Sequence, residues 1–332
     1  MLEPPDLPSE TIVSALEANF GIDVAALTFL PIGNDAASWA FRVEAADGRA
    51  LFLKVRAGPG QPPGAEVPAY LARRGIPLIL APLPTTSGRH HIRTNGFALM
   101  LTPWIDARVG AEAGLTAEHW RQLGSVMRRI HGAAPTMELT HVARREIFRP
   151  TRLEIVEELD ALLATNAPGD AAGRALARFV QSRRPVIQSL LERADTLGRQ
   201  LEGSSSPRVL CHGDLHTWNV LVDRERRLWI VDWDEVTLSP KERDLMFVVG
   251  GLRPGLVTKA DTAAFLRGYG ESTIDPGLLA YYRLAWALQD IGACAEQVFL
   301  SPTIGEHARR AAMEGLVALF ELGHIVDLAM SG

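Results

Sequence analysis

Lysine is nearly missing from this chain. Lys54, Lys241 and Lys259 are the three lysines among 34 basic residues, and the rest are arginine. A GC-rich genome explains such a bias more readily than chemistry does, yet it sets each lysine apart. Nor do basic residues outnumber the 39 acidic ones, so the formal net charge is -5. A nucleic-acid binder would need a surplus of positive charge, which counts against that class. Cysteine is just as scarce. Neither Cys211 nor Cys294 stands in a zinc-site spacing, and two buried thiols are expected rather than a disulfide. No run approaches about 18 uninterrupted apolar residues, so no membrane span is expected. The stretch Met1 to Asp6 has neither the basic start nor the apolar run of a signal peptide. A cytoplasmic location is the resulting expectation. Walker A and Rossmann fingerprints are absent as well, which argues against those nucleotide folds.

The composition that remains is that of a globular protein. Apolar types make up 47% and charged types 22%, which excludes a disordered, collagen-like or coiled-coil chain. The 332 residues suffice for one large domain or two ordinary ones.

Local patterns divide the chain in two. Ser9 is placed to cap a helix running to Phe20, with Gly21 as its stop. Strand patterns follow at Leu27 to Ile32, Ser38 to Glu44 and Ala50 to Val55, the last two joined by an Asp47-Gly48 hairpin. A helix from Ala65 to Arg74 precedes further strands at Ala81 to Thr86 and Phe97 to Leu101. Beyond Trp104 the pattern is helical: a helix capped by Thr116, then Thr151 to Ala164 and Asp170 to Leu201. Two short strands interrupt at Val220 to Val222 and Leu228 to Val231. Helices resume at Lys241 to Val249, Asp261 to Tyr269, Pro276 to Val298 and Ile304 to Leu328. The expected plan is a small β-rich lobe, residues 1–103, followed by a larger, mainly helical lobe, residues 104–332.

The densest chemistry lies in Val209 to Glu235, VLCHGDLHTWNVLVDRERRLWIVDWDE. Asp214 and Asn219 share a polar loop before an apolar strand, and Asp232 ends the next strand, with Asp234 two residues on. The intervening hairpin returns its two ends to one place, so Asn219 and Asp232 can face one ion with Asp214 beside them. Mg²⁺ takes hard oxygen ligands, few of them from protein. A further aspartate can orient an acceptor hydroxyl and take its proton, which suits phosphoryl transfer. The plain structural alternative is an Asx-rich loop capping local backbone.

This segment resembles the catalytic loop and metal-binding strand of the aminoglycoside phosphotransferases and related small-molecule kinases, choline kinases among them. Their motif H-G-D-x-H-x-x-N stands here as His212-Gly213-Asp214-Leu215-His216-Thr217-Trp218-Asn219, followed by Ile230-Val231-Asp232. The resemblance implies an α+β, bilobal protein-kinase-like fold with a small antiparallel β-rich N-lobe and a larger, mainly helical C-lobe. It implies ATP and Mg²⁺ as cofactors, Asp214 as catalytic base, and Asn219 and Asp232 as metal ligands. His212 would support the loop backbone and His216 would sit near the phosphates. A kinase-like lobe also needs a strand lysine gripping phosphates and a helix glutamate orienting it. Lys54 is the only lysine in the first 240 residues, and Glu66 opens the next helix, so a Lys54–Glu66 pair is expected. The turn from Ile32 through Asn34 and Ala36 to Ser38 resembles the phosphate-covering loop, with Gly33 and Ser38 as contacts; a plain hairpin fits it nearly as well. Thr102 and Trp104 fall at the adenine-reading linker, where Trp104 serves equally as a brace between lobes.

The acceptor is narrowed by the same resemblance. Val231 to Glu235, Pro240 to Phe247, Trp120 to Gly124 and Arg145 to Phe148 look like the branch of the family that phosphorylates spectinomycin. A small-molecule acceptor, a cationic aminocyclitol, is implied, with Trp218, Tyr281 and Asp290 as acceptor contacts. The span Leu284 to Asp290 departs from that branch, holding one acid where more are expected. A kinase of another hydroxylated metabolite, or a nucleotide-binding module without catalysis, are the alternatives. No nucleic acid, membrane or obligate protein partner is implied.

Overall fold

The apolar stripe of Ile12 and Leu16 forms helix α1 (Ser9–Phe20) in the computed structural model of the protein, which describes residues 3–33, 35, 37–59, 62–135, 137–166, 171–253, 255–301 and 305–331. Met1, Leu2, Asn34, Ala36, Asp170 and Ile304, named in the sequence expectations, lie outside the described residues. Ser9 turns out to be the first helical residue: Pro8 holds the cap position and no side chain caps the amides there. Gly21 ends the helix as expected, at φ 64°.

Strands β1 (Val24–Leu30), β2 (Ser38–Ala45) and β3 (Ala50–Ala57) form an antiparallel meander. Helix α2 (Pro63–Arg73) follows, then β4 (Ile92–Thr94) and β5 (Phe97–Pro103). The five strands make one sheet in the order β1-β2-β3-β5-β4. The expected strand at Ala81 to Thr86 does not form. Leu83 donates to Leu101 O at 2.7 Å, but Pro82 and Pro84 beside it have no N–H to extend a ladder. Strand β4 takes its place beside β5, and the two join in a tight hairpin at Asn95-Gly96, both at positive φ.

The chain continues through β6 (Ala107–Val109), α3 (Gly110–Ala113), α4 (Ala117–His131), α5 (Met137–Val142) and β7 (Arg144–Arg145). The expected helix at Thr151 to Ala164 splits into α6 (Leu153–Glu157) and α7 (Leu159–Asn166), and α8 (Ala171–Glu202) follows. Then come β8 (Val209–Cys211), β9 (Val220–Asp223), β10 (Leu228–Ile230) and β11 (Thr237–Ser239). The last helices are α9 (Glu242–Leu245), α10 (Lys259–Tyr269), α11 (Pro276–Ala295), α12 (Glu306–Ala318) and α13 (Ile325–Ser331). The break between α12 and α13 falls at Gly323, at φ 76°. No described helix is long and apolar enough to cross a membrane. Cys211 and Cys294 form no disulfide; Cys211 is buried, whereas Cys294 is half-buried rather than buried as expected.

Packing divides the chain into two units. The first comprises Met1–Arg145, Val209–Leu238 and Ala260–Glu271; the second comprises Glu146–Arg208, Ser239–Lys259 and Ser272–Gly332. In the first unit α1 lies on one face of the sheet. Ile12 and Leu16 meet Phe41, Val43, Leu51, Leu53, Val55, Leu99 and Leu101 in one buried cluster. The β9–β10 hairpin belongs to this unit as well: β9 pairs with both β10 and β6, and Ile230 N donates to Leu78 O at 2.7 Å. In the second unit the apolar α11 packs against α6, α8, α12 and α13.

Helix α4 is joined to the hairpin by one histidine. Thr116 accepts from His119 N at 3.2 Å, and Thr116 N donates to His119 Nδ1 at 3.3 Å, a reciprocal cap. The other ring nitrogen, Nε2, donates to Arg226 O at 3.0 Å in the β9–β10 turn. Burial, partly opposed by that hydrogen bond, holds the His119 pKa below its ordinary value. The unfolded chain therefore takes up this proton more readily. The stability contributed by neutral His119 is full above the unfolded pKa of about 6.5 and is lost as pH falls below it toward the folded value. Urea unfolding of wild type and His119→Gln should show a stability gap that narrows between about pH 8 and about pH 5. A gap independent of pH would contradict this assignment.

Candidate active site

Strand alternation aims the chemistry away from the α1 core. Leu51, Leu53 and Val55 point into that core, so Phe52, Lys54 and Arg56 share the opposite face of β3. Their register neighbours on that face are Arg42, Ala40 and Ser38 on β2, and Thr102, Met100 and Ala98 on β5.

Lys54 meets two carboxylates. Its Nζ stands 2.8 Å from Asp232 Oδ1 and 2.7 Å from Asp234 Oδ2. Burial works against the Lys54 charge, but the two aspartates outweigh it and the net shift of its pKa is upward. Burial likewise pushes the Asp232 carboxyl up, and the Lys54 charge and hydrogen bond turn the net shift downward. Asp232 holds φ 63°, a left-handed conformation that aspartate tolerates better than most residues. Asp234 is shared, since Arg56 Nη1 also reaches its Oδ2, at 2.6 Å.

The expected Lys54–Glu66 pair is not formed. Glu66 takes His91 Nδ1 at 3.2 Å and lies 3.6 Å from His90 Nδ1, both from the loop leading into β4. The His91 hydrogen bond is the largest cause of a lowered Glu66 pKa, and the His90 charge adds to it. The physical reason is supply: Lys54 already has two acceptors, and Glu66 has two imidazoles within reach. His90 and His91 went unnoticed in the sequence because a His-His pair in a polar loop reads as solvated surface.

The loop after β8 is held open by backbone and ring contacts. Gly213 sits at φ 82°, and a Cβ there would stand well inside van der Waals contact with the Glu235 carbonyl. The fully buried His212 donates from Nε2 to Val231 O at 3.0 Å and accepts at Nδ1 from Asp214 N at 3.2 Å. It thereby joins the loop to the strand end that carries Asp232, as expected of a backbone support. Its ring also packs on Trp233, with centroids 4.5 Å apart.

Asn219 donates its amide to Asp214 twice, to the main-chain oxygen at 2.8 Å and to Oδ2 at 2.9 Å. Both amide protons are thus used on Asp214, and Oδ1 is the side-chain atom of Asn219 that can accept or ligate. Val231 N donates to Asn219 O at 3.0 Å, so the backbones at Asn219 and Asp232 are neighbours. Asp214 Oδ1 is buried without a hydrogen-bond partner, although His216 Nε2 stands 3.1 Å from it out of hydrogen-bonding alignment. A buried carboxylate oxygen left in that state is poised for a hydroxyl donor. The donor set of Asn219 and Asp232, one amide oxygen and one carboxylate, suits a hard divalent cation.

The remaining expected residues divide by unit. Gly33 holds φ 85° in the turn between β1 and β2, and Ser38 opens β2 opposite Arg56. Thr102 lies across from Phe52 in β5. Trp104 N donates to Ala50 O at 3.1 Å, while its ring lies near Phe52 and beneath the Arg42 guanidinium, 4.9 Å from the centroid. Trp218, half-buried, stands edge-on to His216 at 5.8 Å. In the second unit Tyr281 is 1% exposed, packed edge-on against Phe148 and Tyr282, so its ring is part of that unit's core. Asp290 is half-buried on α11 and, after burial itself, helps push the Cys294 thiol up to about 12.

Residues 28–295 match the phosphotransferase enzyme family. The chain belongs to that family. A curated relative, Protein StrN of Streptomyces griseus, is 27% identical over 325 residues, 92% of each chain. Among solved structures, a spectinomycin phosphotransferase in complex with ADP and spectinomycin superposes with a TM-score of 0.85 at 27% identity, covering 98% of this chain and 99% of that one. The choline kinase LicA of Streptococcus pneumoniae shares the fold, with a TM-score of 0.58 at 13% identity over 93% of this phosphotransferase and 98% of the kinase. The α+β, kinase-like architecture implied by the motif is the one the phosphotransferase has.

Gly213→Ala tests the loop geometry. It combines a left-handed alanine with a backbone clash and should destabilise the phosphotransferase by more than about 2 kcal/mol, read by chemical denaturation. Wild-type stability in that variant would show that the loop does not need the close approach.

Proposed function

We propose that this ATP-dependent phosphotransferase transfers the γ-phosphoryl group of ATP to a hydroxyl of spectinomycin or a close aminocyclitol, and so confers antibiotic resistance. The observation that carries the chemistry is Asp214, whose Oδ1 is buried without a hydrogen-bond partner while Asn219 holds Oδ2. An acceptor hydroxyl donating to that oxygen loses its proton to Asp214 as its oxygen bonds to phosphorus. The β–γ bridging bond breaks and ADP leaves with the electron pair. Positioning and charge neutralisation supply most of the rate in such a transfer.

Lys54 grips the nucleotide phosphates, with Gly33, Ser38 and His216 near them. Thr102 and Trp104 read the adenine end, and Glu66 ties α2 to the loop before β4 through His90 and His91. Asn219 and Asp232 would hold Mg²⁺, which when bound would offset phosphate charge. Residues 1–103 then act as the nucleotide lobe and 104–332 as the catalytic and acceptor lobe, in the cytoplasm. The similarity to the spectinomycin enzyme over 98% of this chain supports the acceptor, with Trp218 of the Asp214 loop as a contact.

A second reading keeps the chemistry and changes the acceptor to another small hydroxylated molecule. It is favoured by the single acid in Leu284 to Asp290 and by the burial of Tyr281.

Mass spectrometry of a reaction with Mg-ATP and spectinomycin should find one added phosphoryl group. No product with spectinomycin, but turnover of another alcohol in a panel, would replace the acceptor and keep the enzyme. Asp214→Ala should lower kcat by at least about a hundredfold, in line with loss of a general base, while Mg-ADP affinity changes little. A near-normal kcat in that variant would remove Asp214 from the role of base.

A further inference from the structure

Arg56 lies two residues beyond Lys54 on the same face of β3 and is joined to two carboxylates through one nitrogen. Its Nη1 is 2.8 Å from Asp35 Oδ2 and 2.6 Å from Asp234 Oδ2, so each of its two protons serves a different residue. The two acceptors differ in kind. Asp234 has 8% of its side chain exposed, and its Oδ2 is the atom that also receives Lys54. Asp35 has 41% exposed and belongs to the turn between β1 and β2, where its other oxygen accepts from Ala37 N at 2.9 Å. The carboxylate of Asp35 thus fastens its own turn with one oxygen and holds Arg56 with the other.

A consequence follows for Lys54. With Arg56 removed, the buried Asp234 charge would have Lys54 as its remaining cation, and Lys54 would be drawn onto it. With Arg56 present, the charge is divided between two cations and the ammonium keeps its bridge to Asp232. We propose that Arg56 is a positioning residue of the phosphoryl-transfer site: it fastens the Asp35 turn to Asp234 and, through Asp234, sets where the Lys54 ammonium stands for the nucleotide phosphates. The inference rests on the reading of this face as the ATP site. It assigns the lysine-orienting part to Asp234 and Arg56, a part that Glu66, engaged by two histidines, does not take.

The test measures nucleotide binding without any acceptor. Calorimetric titration with Mg-ADP is applied to wild type, Arg56→Gln, Asp35→Asn and the double variant, with thermal melting of each. Loss of two charge-assisted bonds should weaken Mg-ADP binding about tenfold in Arg56→Gln and about threefold in Asp35→Asn. The double variant should bind within about twofold of Arg56→Gln, because Asp35 acts through Arg56. In turnover assays the KM for ATP should rise about as much as the ADP affinity falls, with the acceptor KM little changed. Added guanidinium ion should restore part of the affinity to Arg56→Gln and none to Asp35→Asn.

Wild-type ADP affinity in Arg56→Gln would overturn the proposal. So would losses that multiply in the double variant, or a fall in melting temperature with both KM values rising together. If Arg56→Gln does not fold, Asp35→Asn alone decides: unchanged ADP affinity there overturns the link between turn and phosphate site. Wild type that binds no Mg-ADP would instead overturn the ATP reading and this inference with it, a result distinct from wild type that binds and a variant that binds equally.

Discussion

Asp234 has given up nearly all of its water, and a carboxylate in that position must have cations against it. Lys54 and Arg56 meet on its Oδ2, and Lys54 reaches on to Asp232. Much of the first unit is arranged so that these charges can meet. The α1 core fixes the pleat of β3, the pleat puts Lys54 and Arg56 on the other face, and the β9–β10 hairpin brings the two aspartates to them. Remove the core packing and the charges would have no reason to stand together, because the solvated ions in an unfolded chain are each more stable apart.

The loop that carries Asp214 is built to a different rule. Most of its contacts are hydrogen bonds to main chain or between neutral and charged side chains, with His216 3.1 Å from Asp214 as the one ion-pair distance. His212 spans from Asp214 N to Val231 O, Gly213 lets the Glu235 carbonyl come close, and Asn219 uses both amide protons on Asp214. Such contacts fix the position of Asp214 and leave its Oδ1 without a hydrogen bond. Fixed geometry of this kind is what a transfer reaction draws on, since aligned reactants avoid an entropic penalty at the barrier. The lysine cluster handles charge, and the loop handles direction.

Legibility in the sequence follows the range of the interactions. The hairpin was readable because Val220 to Val222 and Leu228 to Ile230 flank a charged turn, and that local pattern forces its ends together. The strand lysine was readable because a charge amid Leu51, Phe52, Leu53 and Val55 is out of place. Glu66 was misread. Helix spacing puts it near Lys54 in chain order, but nothing local announces that His90 and His91 arrive from a later loop. Asp35 and Arg56 were overlooked for the same cause: each alone looks like an ordinary surface charge. The strand at Ala81 to Thr86 failed on a local fact that outranks alternation, the missing N–H of two prolines.

The sequence by itself determined the polar motif: one loop with Asp214 and Asn219, one strand end with Asp232, and one strand lysine, each set by spacing within a few residues. It also determined the enzyme family, because the motif is contiguous and needs no partner to be read. Tertiary structure decided which carboxylate each cation takes, that Tyr281 is core, and that His119 ties α4 to the hairpin turn. Those outcomes depend on distances between segments up to 178 residues apart in the chain. A pairing across such separations is selected by burial and by competition among several charges for the same place, and neither is written in any local pattern.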